Sequence, residues 1–127
     1  MAAPKTVLVI DDASLVRLYY RSTLEAAGFR VEEALNGLEA LEKLPLLKAD
    51  LLIVDVNMPQ MDGFSFLKTL RRSERSIAAL PALVTSTESQ AADFAAGRAA
   101  GANYYLVKPV APETLVCFAS MLCGLPP

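Results

Sequence analysis

The residues of this chain that could do chemistry stand where apolar runs stop. Thr6 to Ile10 ends on Asp11-Asp12, Leu51 to Val54 ends on Asp55, Ala82 to Thr85 gives way to Ser86 and Thr87, and Tyr104 to Val107 ends on Lys108-Pro109. Taken alone, Asp55 would pass for a loop or helix cap, and its companions argue otherwise. Neighbouring strands lie about 4.8 Å apart, so adjoining strand ends would bring three carboxylates, an ammonium and a hydroxyl into one crevice. Each carboxylate pair repels by about 4 kcal/mol at 4 Å and an effective dielectric of 20, so positive charge must sit among them. Lys108 supplies one cation. Hard oxygen donors unaccompanied by His or Cys favour Mg²⁺ as another, since that ion takes one or two carboxylates, several waters and a phosphate oxygen.

The elements that would position these groups alternate. Continuous apolar runs such as Leu51 to Val54 read as strands buried on both faces, as in parallel sheets under helices. Between the runs, Ser14 to Ala27 carries Leu15, Leu18, Tyr19 and Leu24 near helical spacing, with Gly28 as the stop. Phe29 to Ala34 reads as a strand. Asn36-Gly37 turns into a short helix through Leu38, Leu41, Glu42 and Leu44, closed by Pro45. Beyond Asp55, Pro59 removes a donor and Gly63 permits positive φ, so a loop precedes a helix marked by Phe64, Phe66, Leu67 and Leu70. Pro81 opens the fourth strand. Gln90 to Ala100 reads as an alanine-rich helix weakened by Gly97, which costs about 1 kcal/mol against Ala, although a packing role for this glycine weighs slightly more. The last helix runs from Pro112 to Cys123. Five strand-helix units in succession imply a doubly wound α/β sheet with five helices on its two faces.

Composition narrows the function. A chain of 127 residues fits a single domain, 1–127. No apolar run approaches the roughly 20 residues of a membrane span, and no signal-peptide pattern is present, so a soluble, cytoplasmic protein is expected. With no histidine in the chain, phosphohistidine and imidazole catalysis are excluded. Lys68, Arg71, Arg72 and Arg75 read as a solvated helix face, and a net charge of −2 gives no footprint for nucleic acid. Cys117 and Cys123, about 9 Å apart along a helix, are too far apart to bridge and read as packed thiols.

Taken together, Asp11-Asp12, the run from Asp55 through Asn57, Met58, Pro59 and Asp62 to Gly63, Ser86 five residues beyond Pro81, Tyr105, and Lys108-Pro109 resemble the receiver domain of two-component response regulators. The likeness covers essentially the whole chain and is greatest to the single-domain chemotaxis type. It implies the flavodoxin-like strand order 2-1-3-4-5. It further implies that Asp55 takes a phosphoryl group from a histidine kinase or a His-containing phosphotransfer protein. Mg²⁺ would be held by Asp12, Asp55 and the backbone carbonyl of Asn57, with Asp11 acting through water. Lys108 and Ser86, with Thr87 beside it, would bind phosphoryl oxygens, and Tyr105 would move inward as the coupled switch. Pro109 would follow a cis peptide bond. Asn57 and Glu88 resemble the residues that flank the hydrolytic water in the chemotaxis type, which points to a short-lived phosphoryl group. Val110 departs from the aromatic that many relatives carry after Lys-Pro.

The last helix holds more apolar residues than one buried face needs. Leu115, Ala119 and Leu122 suffice for the sheet, leaving Val116, Cys117, Phe118 and Met121 pointing elsewhere. With Tyr104 and Tyr105 they suggest a partner surface on the fourth helix, fifth strand and fifth helix, the face this family commonly uses. Its occupant would be a downstream target, a flagellar motor switch or another kinase among the candidates, or a second copy of the chain.

Two enzyme or carrier readings compete and fall short. An aspartyl phosphatase of the haloacid-dehalogenase kind needs a second Asp two residues after its nucleophile, where Asn57 stands. A flavin-binding electron carrier needs a phosphate-cradling loop after strand one, where two acids would repel phosphate. A receiver acting as a phosphate sink, or one cut from a hybrid kinase or DNA-binding regulator, keeps the same chemistry; the Met1 start and the Gly124 to Pro127 end suggest a stand-alone protein.

Overall fold

A computed structural model describes residues 3–126; Met1, Ala2 and Pro127, which bound the expected domain, lie outside the described residues. The strands are β1 (Thr6–Ile10), β2 (Arg30–Ala34), β3 (Leu51–Asp55), β4 (Ala82–Ser86) and β5 (Tyr104–Val107). They form one parallel sheet in the order β2-β1-β3-β4-β5, the order that the resemblance implies. The helices are α1 (Ser14–Ala26), α2 (Gly37–Lys43), α3 (Gly63–Arg71), α4 (Arg75–Ala78), α5 (Ala91–Ala100) and α6 (Pro112–Leu122). The described residues thus hold six helices where five were expected, because Arg75–Ala78 closes one further helical turn in the connection to β4. Leu44–Leu46 adds a 3₁₀ turn that runs through Pro45 at its start.

Strand alternation splits the core in two. Leu8, Ile10, Leu52, Val54, Ala82 and Val84 face α2, α3 and α5, with Phe66, Leu67 and Leu70 packed on them. Val7, Val9, Leu51, Ile53 and Leu83 face α1 and α6, meeting Tyr20, Leu24, Leu115 and Ala119. Each large side chain so buried contributes on the order of 1.5–3 kcal/mol, so the interior strands tolerate little polar intrusion. Among the described residues, the buried polar groups of these strands, Asp11, Asp55, Thr85 and Ser86, gather at their carboxyl ends.

Several local readings change. On α1 the buried residues are Tyr20 and Leu24, whereas Leu15 is 78% exposed and Leu18 and Tyr19 also reach the surface. Of the four apolar positions that mark the helix, Leu24 alone lies on its inner face. Asn36 is an N-cap, its side chain accepting from the Glu39 amide. Arg71, expected on a solvated face, spends its guanidinium on the carbonyls of Gly101, Ala78 and Leu80 and on the Asn103 side chain. It caps three chain turns that would otherwise expose unpaired acceptors. Cys117 is exposed while only Cys123 packs, and both are free; burial pushes the Cys123 thiol up to about 11.

The two glycines singled out earlier are there for space. Gly63 does not adopt positive φ; the non-glycine residue that does so in its loop is Gln60. A Cβ at Gly63 would meet the Asp55 carbonyl oxygen at 2.4 Å and Val56 Cα at 2.9 Å. The start of α3 thus lies directly on the backbone that carries Asp55, an approach only glycine permits. At Gly97 a Cβ would meet the Tyr105 ring at 2.9 Å, which favours the packing role over a simple weakening of the helix. Gly63→Ala forces backbone against backbone, so we expect a loss of about 2 kcal/mol or more in denaturant unfolding. Unfolding within about 0.5 kcal/mol of wild type would show that the loop relaxes freely.

Candidate functional site

Asp11, Asp55 and Lys108 share one alternation of the sheet, because each lies two residues beyond a strand residue on the α1/α6 face (Val9, Ile53 and Leu106). Side chains along a strand repeat with period two, so the three are delivered to the same side of the carboxyl edge. Lys108 Nζ donates to Asp11 Oδ2 and to Asp55 Oδ1, both at 3.0 Å. Asp11 is 1% exposed and Asp55 5%, while Asp12 stands at the surface. Carboxylate oxygens of Asp11, Asp12 and Asp55 lie within 4.8 Å of one another, so the cluster inferred from strand ends forms.

Local bonds hold these groups. Asp11 Oδ1 accepts from the Ala13 amide at the entrance to α1. The Arg17 guanidinium donates to the Asp11 carbonyl at 2.7 Å and to Glu33 at 2.8 Å, so that β2 and α1 both brace the end of β1. The Asp55 backbone is covered by Gly63, whose amide donates to the Val56 carbonyl. Lys108 takes its place through a backbone bond from its amide to the Ser86 carbonyl at 2.7 Å, and a cis peptide joins it to Pro109.

The electrostatics follow from burial. Burial pushes the Asp55 carboxyl above its ordinary value, and the charge of Asp11 pushes the same way; the hydrogen bond from Lys108 and a backbone bond from Asn57 oppose the rise. Burial would depress Lys108, yet its bonds to Asp11 and Asp55 hold its pKa above the ordinary one. One ammonium thus serves two buried carboxylates, with Asp12 adding a third negative charge at the lip. The donor set is all oxygen, it carries excess negative charge, and one member is open to solvent, which suits a hard divalent cation such as Mg²⁺.

The second alternation carries the other expected residues. Ser86 is the last residue of β4, not the first of a loop, and is fully buried; its hydroxyl accepts from the Glu88 amide at 3.0 Å. Tyr105 is half-buried, its ring edge-on to Phe94 at 4.8 Å and its hydroxyl donating to the Glu88 carbonyl at 3.0 Å. The Ser86-Thr87-Glu88 turn is therefore tied at both ends, once to itself and once to β5. Thr87, Glu88 and Asn57 are exposed around the crevice. On α6, Phe118 is half-buried and stacks edge-on against Tyr104 at 4.8 Å, while Val116 is half-buried and Met121 exposed.

Residues 7–119 match the family described as the response regulator receiver domain. The chain belongs to that family. Among solved structures, the receiver domain resembles the chemotaxis protein CheY4 of Vibrio cholerae, with 39% identity and a TM-score of 0.89 over 94% of this chain and 99% of that one. A response regulator from Chloroflexus aurantiacus, titled putative, gives 34% identity and a TM-score of 0.90 over 95% of this chain and 98% of that one. Among curated proteins, the sensor protein EvgS of Escherichia coli is 37% identical over 92% of this chain. The transcriptional regulatory protein PrrA of Mycobacterium leprae is 39% identical over 87% of it. The chain spans 10% of the length of EvgS and 46% of that of PrrA, so receiver domains like this one occur inside larger signalling proteins as well as in chains of its own size. No helix among the described residues is long and apolar enough to cross a membrane.

Sequence reasoning missed three participants. Gly63 as the floor under Asp55 and Arg17 as the brace of Asp11 gave no signal beyond their types. Thr85, in register with Asp55 on the neighbouring strand, is buried with a hydroxyl that finds no hydrogen-bond partner.

A carboxyl group whose pKa is raised on folding binds protons better in the folded chain, so its contribution is most favourable below its unfolded value of 3.8 and is lost as pH rises through the folded value. In metal-free buffer at pH 7, Asp55→Asn should therefore raise the melting temperature, by about 3–6 °C if about 1 kcal/mol is recovered, and the gap should close below about pH 4. A lower melting temperature for the variant at pH 7 would show that the Lys108 pair outweighs the burial of the charge.

Proposed function

We propose that this receiver domain is a phosphoacceptor: Asp55 takes the phosphoryl group of a phosphohistidine on a sensor kinase or phosphotransfer protein. The observation that carries the reading is the Lys108 ammonium held 3.0 Å from both Asp11 and Asp55, beside a solvent-facing third carboxylate. In the transfer, a bond forms between an Asp55 carboxylate oxygen and phosphorus as the phosphorus–nitrogen bond of the donor breaks, leaving the imidazole to take up a proton. A carboxylate is a weak nucleophile, so the rate must come from alignment and charge neutralisation.

Asp12 and Asp55, with the backbone carbonyl of Asn57, would hold Mg²⁺, and Asp11 would act on it through water. When bound, Mg²⁺ neutralises charge building on the phosphoryl oxygens. Lys108 has three donors, two of which engage Asp11 and Asp55, so its ammonium can pass to a phosphoryl oxygen as Asp55 loses its full charge. The Ser86 hydroxyl, and Thr87 at the rim, would donate to another. Because Ser86 and Tyr105 both bond to Glu88, pulling the Ser86 hydroxyl toward a phosphoryl group shifts the turn to which Tyr105 is tied. Phosphorylation then favours one of two arrangements of this turn, α5 and Tyr105. Asn57 and Glu88, exposed beside the crevice, would set the access of the water that hydrolyses the acyl phosphate. The catalysis is limited to this domain's own phosphorylation and dephosphorylation, in the cytoplasm, as one domain, on the pattern of the chemotaxis proteins.

The output surface would be α5, β5 and α6, the renumbered form of the face expected above. Its exposed apolar residues Tyr104 and Met121 suit a target protein or a second copy. Phe118 is already engaged with Tyr104, so Met121→Glu tests the face more cleanly. That change should weaken target binding or self-association of the phosphorylated domain by about tenfold or more while leaving its melting temperature in place; unchanged association would remove α6 from the surface.

The phosphoacceptor reading is tested by intact mass after incubation with acetyl phosphate, with and without Mg²⁺. Wild type should gain one metal-dependent phosphoryl group and Asp55→Asn none. A wild-type chain that gains nothing would leave a receiver that acts by binding alone.

A further inference from the structure

α1 carries consecutive tyrosines, and both turn toward the Lys108 loop. The Tyr19 hydroxyl donates to the Val110 carbonyl at 2.6 Å, tying α1 to the chain just past Lys108-Pro109. Tyr20 is 2% exposed, and its ring lies 5.6 Å from that of Tyr19 at an angle of 49°. Together with Val16, Pro109 and Lys108 itself the two rings line one apolar hollow beside the acidic crevice, so Lys108 borders the same hollow as both aromatic rings. The hydroxyl of Tyr20 faces Thr85 without closing a hydrogen bond to it, and it lies within reach of the charges of Lys108, Asp11 and Asp55. Burial raises its pKa, so it stays a neutral hydroxyl at any physiological pH. Nothing else among the described hydrogen bonds ties the segment after the cis peptide to α1.

We propose that Tyr19 and Tyr20 are positioning residues for Lys108. Tyr19 fixes the backbone on one side of the lysine, and Tyr20 supports its stem and closes the floor behind it. Lysine has four flexible methylenes and would otherwise sample many rotamers, giving up that freedom each time it engages. With both anchors the ammonium is confined to the span between Asp11 and Asp55, ready for a phosphoryl oxygen. The proposal rests on the phosphoacceptor reading of Asp55, and its test has an arm that does not.

Tyr19→Phe deletes one hydroxyl and keeps the ring. The initial rate of Asp55 phosphorylation by acetyl phosphate should fall about three- to tenfold in Tyr19→Phe, with phosphorylation still confined to Asp55. In lysine-labelled protein without phosphodonor, the Lys108 Cε resonance, assigned by its absence in Lys108→Arg, should shift in Tyr19→Phe and in Tyr20→Leu, which removes the ring that supports the lysine stem. Tyr19→Phe removes a bond at the protein surface, so it decides the matter even if Tyr20→Leu folds poorly. A Lys108 resonance that stays in place in Tyr19→Phe overturns the proposal whatever the rate does, and so does a rate within about twofold of wild type. If wild type takes up no phosphoryl group, the phosphoacceptor reading has failed, and the resonance alone then decides whether the tyrosines position Lys108.

Discussion

The structure depends on one ammonium shared by two buried carboxylates. Asp11 and Asp55 are carried to the carboxyl edge by apolar strands, and each is nearly inaccessible. At the separations involved, their mutual repulsion and the burial of both charges would be worth several kcal/mol against folding. Lys108 answers that cost from a strand at the other side of the sheet. This arrangement is stable only while the lysine stays between the acids, and it leaves the site two positive charges short once Asp12 is counted. Both features serve binding: the shortage draws a cation, and the lysine is held by charge and not by covalent geometry, so it can follow a new negative charge when one arrives.

Everything around that triad limits where its members can go. Gly63 lets α3 press against the backbone of Asp55, which stiffens the residue that would accept a phosphoryl group. Arg17 and Glu33 hold the end of β1 from the opposite side. By contrast, the Ser86 turn is pinned by two hydrogen bonds that both involve Glu88, and its outer residues are exposed. Rigid support under the acceptor and light support over it is the combination that a reversible switch needs, since a packed core does not deform gradually.

Much of this was legible in the chain. Strand ends could be read because buried parallel strands are continuous apolar runs, and Asp11, Asp55 and Lys108 interrupt them abruptly. The sheet order came from likeness to a family, since periodicity says nothing about which strands adjoin. What stayed hidden depends on contacts between distant segments. Gly63 looked like a turn glycine because composition cannot distinguish a need for positive φ from a need for space. Arg71 looked solvated because its acceptors are carbonyls of Gly101, Ala78 and Leu80, which no sequence pattern advertises. The inner face of α1 was not legible for a related reason: Leu15 and Leu18 are more apolar than Tyr20, yet the tyrosine is buried with Leu24 while both leucines are exposed.

Arg71 also explains how a disturbance at Ser86 could have direction. Its guanidinium binds the carbonyl of Gly101 at the carboxyl end of α5 through two nitrogens, and Gly101 itself has no room for a side chain there. The amino end of α5 is held by an exposed bond from the Gln90 amide to Asp93, and the body of the helix is mostly alanine, with Gly97 against the Tyr105 ring. One end is therefore fastened to α3, α4 and the turn into β4 through a half-buried arginine, whereas the other is held by that exposed bond and by Phe94 edge-on to the Tyr105 ring. On the proposed switch, a pull through Glu88 would act on the more lightly held amino end, so α5 would swing about Gly101 with the Tyr105 ring as the surface it turns against, and the α5-β5-α6 face would change shape without any rearrangement of the core.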